Sequence, residues 1–331
     1  MPKHTQKSIS GKVLKTIREN HLIEKGDRIA VALSGGADSV CLVKILLEIR
    51  DQFDCSILAC HYNHRLRGDA SDEDETFVKN FCEQEGIELI LGSAEKINSF
   101  KNEEEARIAR YAFFKKIIGE GNVNKIAIAH NLNDFSETLL MRMIRGAGLR
   151  GLGSIPLSRE KFIRPLLEIS RSEIEECLET KKQKYCVDKS NFDLAYTRNK
   201  IRHAVLPLLS ELNPNVIETL ASSAKQIAED YDYLALLADQ AYQKILISRS
   251  DNLIVMDAKQ LRTLHASLQK LVLRKAIEEL NGLIDISADH LSEALLIIEK
   301  NESKKHKILP RSLRIELDAG KIILSNINKQ R

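Results

Sequence analysis

The chain has no tryptophan, and aromatics make up only 5% of its 331 residues, so any core must be packed mainly from aliphatic side chains. No run approaches the roughly 18 consecutive apolar residues of a membrane-spanning helix. The N-terminal stretch MPKHTQKSISGK is basic, but no apolar signal core or small-residue cleavage site follows it. A soluble, cytoplasmic protein is the expectation. There are six cysteines (Cys41, Cys55, Cys60, Cys82, Cys177 and Cys186) but no Cys-x-x-Cys pair, and none lies near a zinc-like histidine pair. Apolar contexts such as CSILAC predict buried free thiols instead. There is no internal repeat and no low-complexity tract.

What is present is a 43% apolar chain long enough for about two domains. The net charge is only +3, but it is uneven: residues 142–202 hold 14 Lys/Arg against 8 Asp/Glu, leaving −3 for the rest. That segment is either a set of solvated helix faces or a surface for a phosphate-rich partner. In the first half, short apolar runs alternate with helical patterns. RIAVALS (28–34), CSILACHY (55–62), IELILG (87–92) and KIAIAH (125–130) read as strands. The segments 38–49, 71–86, 103–118 and 134–145 read as helices between and after them. This alternation predicts a doubly wound, mostly parallel α/β sheet. A glycine-rich loop follows at RGAGLRGLGSIP, then a helix capped by Ser170 or Ser172. Residues 213–248 look almost wholly helical. The tail mixes the strands LIVMD, LRIEL and KIILS with helices at about 258–280 and 288–300. The expected organisation is a catalytic α/β domain over 1–210, a helical linker over 211–248 and a smaller α+β domain over 249–331.

The stretch VALSGGADSV (31–40) carries the strongest chemical signal. Ser34, Gly35, Gly36, Ala37, Asp38 and Ser39 follow a buried strand and open a helix. Glycines there permit close backbone approach, and freed N–H groups at a helix N-terminus cradle an anion. A Walker loop would end in Lys-Ser/Thr, and this one has no such lysine. It has Asp38, which makes sense if Mg²⁺ bridges that carboxylate to phosphate oxygens. A cradle for the pyrophosphate end leaves the α-phosphate of ATP open to attack, so adenylation with pyrophosphate release is the predicted chemistry.

This loop resembles the Ser-Gly-Gly-x-Asp-Ser signature of the PP-loop ATP pyrophosphatase superfamily. Further blocks resemble the tRNA(Ile)-lysidine synthetases within it: HYNHRLR (61–67), EARIARYAFF (105–114), AHNLNDFSETLLMRMIRGAGLRGL (129–152), IRPLL (163–167), DKSNFDLAYTRNKIRHAVLPLL (188–209) and LPRSLRIELDAGKIILS in the tail. The resemblance covers nearly the whole chain. It implies that ATP adenylates the wobble cytidine of a CAU-anticodon isoleucine tRNA and that free L-lysine is then joined to C2. The departures are Arg65 in place of glycine, and Asn131, Asn133 and Phe135 in place of the commoner His, Asp and Gln. A tRNA thiolase of the same superfamily is the rival enzyme, and the missing Cys-x-x-Cys argues against its clustered form. A tRNA-binding protein that keeps the fold without turnover is the other rival, and intact Ser34, Asp38 and Ser39 argue against that one.

Site residues follow from the matched blocks. Ser34, His61 and His130 each end or follow a predicted strand, where parallel sheets hold ligands. Asp134 and Glu137 lie three apart on one helix face. They are expected either to hold lysine's ammonium group or to take its proton. Arg107 and Arg110 share another face, and Arg110 is assigned to lysine's carboxylate. His64 and His130 are either site residues or structural histidines, and His130 is carried forward as catalytic. Arg145, Arg198 and Arg202 are assigned to tRNA.

Overall fold

The computed structural model describes residues 8–65, 69–94, 100, 103–153, 155–187, 197–300 and 305–327. Residues 66–67 of the HYNHRLR block and 188–196 of the DKSNFDLAYTRNKIRHAVLPLL block lie outside them. The chain divides into two compact units, Met1–Gln226 and Ile227–Arg331.

In the first unit the elements are α1 (Ile9–Glu19), β1 (Arg28–Ala32), α2 (Ala37–Ile49), β2 (Ser56–Asn63), α3 (Asp69–Glu85), β3 (Leu89–Ser93), α4 (Glu103–Gly119), β4 (Lys125–Ala127), α5 (Leu132–Ile144), α6 (Leu149–Leu152), β5 (Ser158–Arg159), β6 (Phe162–Ile163), α7 (Arg171–Thr180), α8 (Thr197–Lys200), a π-helical turn at Ile201–Val205, and α9 (Leu206–Leu212). The sheet order is β3-β2-β1-β4-β6-β5. Every pairing is parallel except β5 with β6. Strand residues alternate between two cores. Ile29, Val31, Ile57 and Ala59 pack with Val13, Val40, Ile45, Ile174 and Leu178 on one face. Ala30, Leu58 and Cys60 pack with Phe114 and Ile117 on the other. Burial on both faces is why β1 and β2 read as continuous apolar runs. Four cysteines are buried, and Cys55 and Cys186 are half-buried.

The helix α10 (Val216–Ile245) crosses the boundary between the units. Its first turns belong to the first unit: Leu220, Ala221 and Ala224 pack with Phe135, Leu139 and Leu167. The second unit continues with β7 (Leu246–Ser250), β8 (Leu253–Asp257), α11 (Ala258–Thr263), α12 (Ala266–Asn281), α13 (Ala288–Lys300), β9 (Lys305–Leu309), β10 (Leu313–Asp318) and β11 (Lys321–Asn326). Its strands form an antiparallel sheet, β7-β8-β11-β10-β9. Inward residues such as Ile315, Leu317, Ile322 and Leu324 pack against Val272, Ile277, Leu295 and Tyr242.

Two expectations are corrected here. The long helix stops at Ile245 rather than Ser248, because residues 246–250 pair antiparallel with β8 across a turn at Asp251-Asn252. The helix expected over 258–280 is two helices, because Leu264 is extended and His265 caps α12 by accepting from Ser267 N.

Candidate active site

From β1 the chain winds outward through β2 and β3, then returns to place β4 on the other side of β1. Such a reversal opens a crevice at the C-terminal ends of the strands. A cavity of 230 Å³ lies there. Its walls include Ser34, Gly36, Asp38 and Ser39 after β1, His61 and His64 from the end of β2, Arg110 from α4, and His130 after β4.

The loop after β1 is held open by its own bonds. Gly35 has φ +88°, a left-handed conformation that disfavours a side chain, and a Cβ there would lie 3.3 Å from Cys186 Sγ. Cys186 N donates to Gly35 O at 2.9 Å. Ser39 Oγ accepts from Ser34 N at 3.2 Å and donates to Gly36 O at 2.9 Å. Gly36 begins α2 with no side-chain cap among the described residues. Gly36, Asp38 and Ser39 of this uncapped helix start line the cavity, and a helix N-terminus is where spare N–H groups favour an anion.

Asp38 stands in that first turn. Its Oδ2 accepts from Arg171 Nη1 at 2.7 Å and its Oδ1 from Asn131 Nδ2 at 3.0 Å. Burial raises its carboxyl pKa and Asp134 adds to this, while Arg171 and Asn131 oppose it. Among the described residues no three His, Cys, Asp or Glu side chains cluster as an all-protein metal site. One carboxylate beside a phosphate cradle fits Mg²⁺, which keeps water and substrate phosphates as its other ligands.

The histidines divide by their partners. His130 Nδ1 accepts from Arg164 Nε at 3.2 Å. Because a guanidinium only donates, the ring is neutral with its proton on Nε2. Burial pushes its pKa down to about 4, with Arg164, Arg198 and Arg110 adding to the fall and Asp134 opposing it. His130 lines the cavity, and in this state its Nε2 is able to donate. His61 Nδ1 lies 2.8 Å from Leu33 O and must donate; its Nε2 is buried with no partner among the described residues. Burial and Arg110 push the pKa of His64 down to about 4 as well. Its ring lies edge-on to Tyr62 and Phe100.

Asp134 and Glu137 do share a face, and the structure brings Arg198 and Arg202 onto it. Arg198 reaches Glu137 Oε2 and Asp134 Oδ1, both at 2.8 Å. Arg202 reaches Glu137 Oε1 at 2.6 Å and Asp134 Oδ1 at 3.2 Å. Glu137 is fully buried and Asp134 nearly so, so the guanidiniums provide the compensation that buried carboxylates require. The residues expected to hold lysine thus hold two of those expected to touch tRNA. Arg110 lines the cavity, whereas Arg107 lies over the Tyr111 ring at 5.3 Å and pairs with Glu104. Arg145 is exposed at the C-cap of α5, the far end of the helix from Asp134.

Two residues at this site escaped the sequence reading. Arg171 looks like an ordinary charge at the start of a helix, and its partner Asp38 lies 133 positions away. Asn131 stood out only as a departure. It caps α5, accepting from Asp134 N at 2.9 Å while its own N donates to Asp134 Oδ2 at 3.0 Å, and its amide also holds Asp38. The pattern Asn-x-x-Asp before an apolar run is a capping signal legible in the sequence.

Comparison with known proteins agrees with this geometry. The family signature of the PP-loop domain matches residues 5–209. The chain is 35% identical over 326 residues to the tRNA(Ile)-lysidine synthase of Clostridioides difficile strain 630, covering 96% of this chain and 71% of that protein. It is 36% identical over 309 residues to that of Geobacter sulfurreducens, covering 89% and 65% respectively. Among solved structures, the U34-tRNA thiolase NcsA from Methanococcus maripaludis is similar in fold, with a TM-score of 0.57 over 66% of this chain and 77% of that one, at 23% identity. With a Ser-Gly-Gly-Ala-Asp-Ser loop at the strand switch point and relatives that match along nearly its whole length, this chain belongs to the tRNA(Ile)-lysidine synthase family of PP-loop proteins.

Proposed function

We propose that this enzyme uses ATP to join free L-lysine to C2 of the wobble cytidine in an isoleucine tRNA with a CAU anticodon. The observation that carries the reading is the self-bonded Ser34–Ser39 loop, with Asp38 in the first turn of α2 at the sheet's switch point. Cytidine O2 attacks the α-phosphorus, and pyrophosphate leaves from the cradle. The lysine ε-amine then attacks C2, and AMP departs with the former O2. Asp38 would hold Mg²⁺, which offsets charge on the phosphates when bound. His130, neutral and donating through Nε2, suits a contact with an oxygen that gains negative charge.

Arg110, on the cavity wall, is the candidate for lysine's carboxylate. Asp134 and Glu137 serve its ammonium group once an arginine gives way, or take its proton when it attacks. Arg145, Arg198 and Arg202 are candidate contacts for tRNA phosphates, and the second unit is assigned to tRNA as well. A protein of this kind works where tRNA is, in the cytoplasm.

The test is pyrophosphate release from ATP in the presence of CAU-anticodon tRNA, followed by mass analysis of the tRNA after lysine is added. Expected are tRNA-dependent release and a mass gain of one lysine less one water. Asp38→Ala should abolish release while tRNA binding stays near normal. Incorporation of sulfur would favour the thiolase reading, and tRNA binding without any pyrophosphate would favour a non-catalytic one.

A further inference from the structure

Three helix N-termini meet at Asp38. It lies in the first turn of α2, Asn131 is the cap of α5, and Arg171 is the first residue of α7. Arg171 is fixed at two points besides its contact with Asp38. Its backbone N donates to Asn133 Oδ1 at 2.9 Å, which ties α7 to α5, and its Nε donates to Glu175 Oε1 at 2.7 Å. Only the tip of the guanidinium meets Asp38 Oδ2, at 2.7 Å. The Arg171 side chain keeps 37% of its surface exposed and that of Asp38 28%, so the pair is open to solvent.

A guanidinium and a divalent ion compete for the same carboxylate lone pairs. Mg²⁺ binds oxygen at about 2.0–2.1 Å and leaves no room for an N–H on that lone pair. The cation that displaces Arg171 also arrives with a polyphosphate, and a guanidinium binds phosphate oxygens in fork geometry. The loop lacks the lysine that a Walker loop would direct at the terminal phosphates. Arg171 is a cation already in contact with Asp38 of this one.

We propose that Arg171 is a further catalytic contact of this enzyme, neutralising Asp38 when no nucleotide is bound and turning onto the pyrophosphate portion of ATP when Asp38 takes the metal. As the bond from the α-phosphorus to the bridging oxygen breaks, the electron pair leaves with pyrophosphate, and the guanidinium donates to that growing charge. This inference rests on the reading of residues 34–39 as the Mg–ATP site.

Pyrophosphate and AMP binding to the 331-residue chain, measured by calorimetry with Mg²⁺ and with EDTA, tests it. Arg171→Gln should weaken pyrophosphate binding about 10- to 100-fold with Mg²⁺, the range expected for a lost charge-assisted hydrogen bond, and by less in EDTA, where Asp38 still occupies the guanidinium. Arg171→Lys should recover part of that loss. Asp38→Asn should weaken pyrophosphate binding with Mg²⁺ but tighten it in EDTA, because the carboxylate that occupies Arg171 is then gone. AMP, which has no β- or γ-phosphate, should be affected by none of the Arg171 changes. A residue that merely positioned Asp38 would give Asp38→Asn no gain in EDTA that the further change Arg171→Gln could remove. If Arg171→Gln binds pyrophosphate with Mg²⁺ like the unaltered protein or loses AMP in parallel, or if Asp38→Asn keeps its gain in EDTA after Arg171→Gln is added, the inference is overturned. If the unaltered protein binds neither ATP nor pyrophosphate with Mg²⁺, the loop reading falls and takes the inference with it. Thermal melts of each variant identify loss of fold, and Arg171→Lys carries the test should Arg171→Gln melt early.

Discussion

His64 shows how little of a residue's role lies in its letter. In the sequence it is one of three histidines near strand ends. In the structure its Nδ1 is buried with no partner among the described residues, between Tyr62 and Phe100. Its folded pKa of about 4 lies below the ordinary 6.5. The unfolded chain therefore takes up a proton near pH 6.5 that the folded chain refuses until about pH 4. Stability is fully present above 6.5 and declines as pH falls toward 4, levelling off below. His64→Phe should flatten that decline in melting temperature and leave stability at pH 7.5 equal or higher, since an orphaned polar atom is removed from an aromatic site. An unchanged slope between pH 4 and 6.5 would show that His64 is not buried neutral. His130 adds to the same decline, for the same sign reason. The site's short-range logic was readable from the sequence: Ser34–Ser39 is contiguous, and Asp134 and Glu137 share a helix face. The Arg171–Asp38 and Arg198–Glu137 pairs join residues 133 and 61 positions apart, and no local pattern signals them.

At the scale of elements, the α5 start does two jobs that can be separated. Asn131 supplies the cap through Oδ1 and holds Asp38 through Nδ2. Asn131→Ser keeps a good cap and loses the amide donor, so stability should change by less than about 0.5 kcal/mol while ATP affinity falls severalfold. Asn131→Ala should add a loss of about 1 kcal/mol from the missing cap. Urea midpoints and ATP titrations of both variants check the split, and equal stability losses would mean that serine does not cap here. The strands of the first sheet were visible as apolar runs because burial on both faces leaves them no polar side. The pairs β5–β6 and β7–β8 were not anticipated, since two-residue strands and the exposed strand β7 carry no such run. Helix α1 was also missed, although Ile9, Val13 and Ile17 recur at helical spacing; only Val13 and Ile17 are fully buried.

At the scale of the whole molecule, the position of the boundary decides what a shortened chain can do. A cut near residue 211, at the edge of the expected linker, would remove Leu220, Ala221 and Ala224, which cover Phe135 and Leu139 on the helix that carries Asp134. It would also remove the carbonyl of Ile217, which accepts from Ser136 Oγ at 3.1 Å. A chain ending at Gln226 keeps all of these. The shorter product should melt lower and bind ATP poorly, whereas the 226-residue product should bind ATP at near-native affinity and lose mainly tRNA affinity. Calorimetry with ATP and filter binding with tRNA distinguish the two products, and equal ATP binding by both would show that α10's first turns do not support α5.

The Asp134–Glu137–Arg198–Arg202 cluster has a consequence for the order of events. Its formal charges cancel, two negative against two positive. On the reading that lysine's ammonium binds these carboxylates, an incoming lysine adds a cation to a neutral group, and one arginine must first be drawn off. A tRNA phosphate is a suitable acceptor for that arginine. The kinetics should then be ordered: lysine binds weakly to the enzyme alone and more tightly once tRNA is present, and raising lysine should not slow tRNA binding. Lysine affinity measured by calorimetry with and without tRNA shows whether the two arginines act as placeholders for the substrate, and equal affinities would show that they do not.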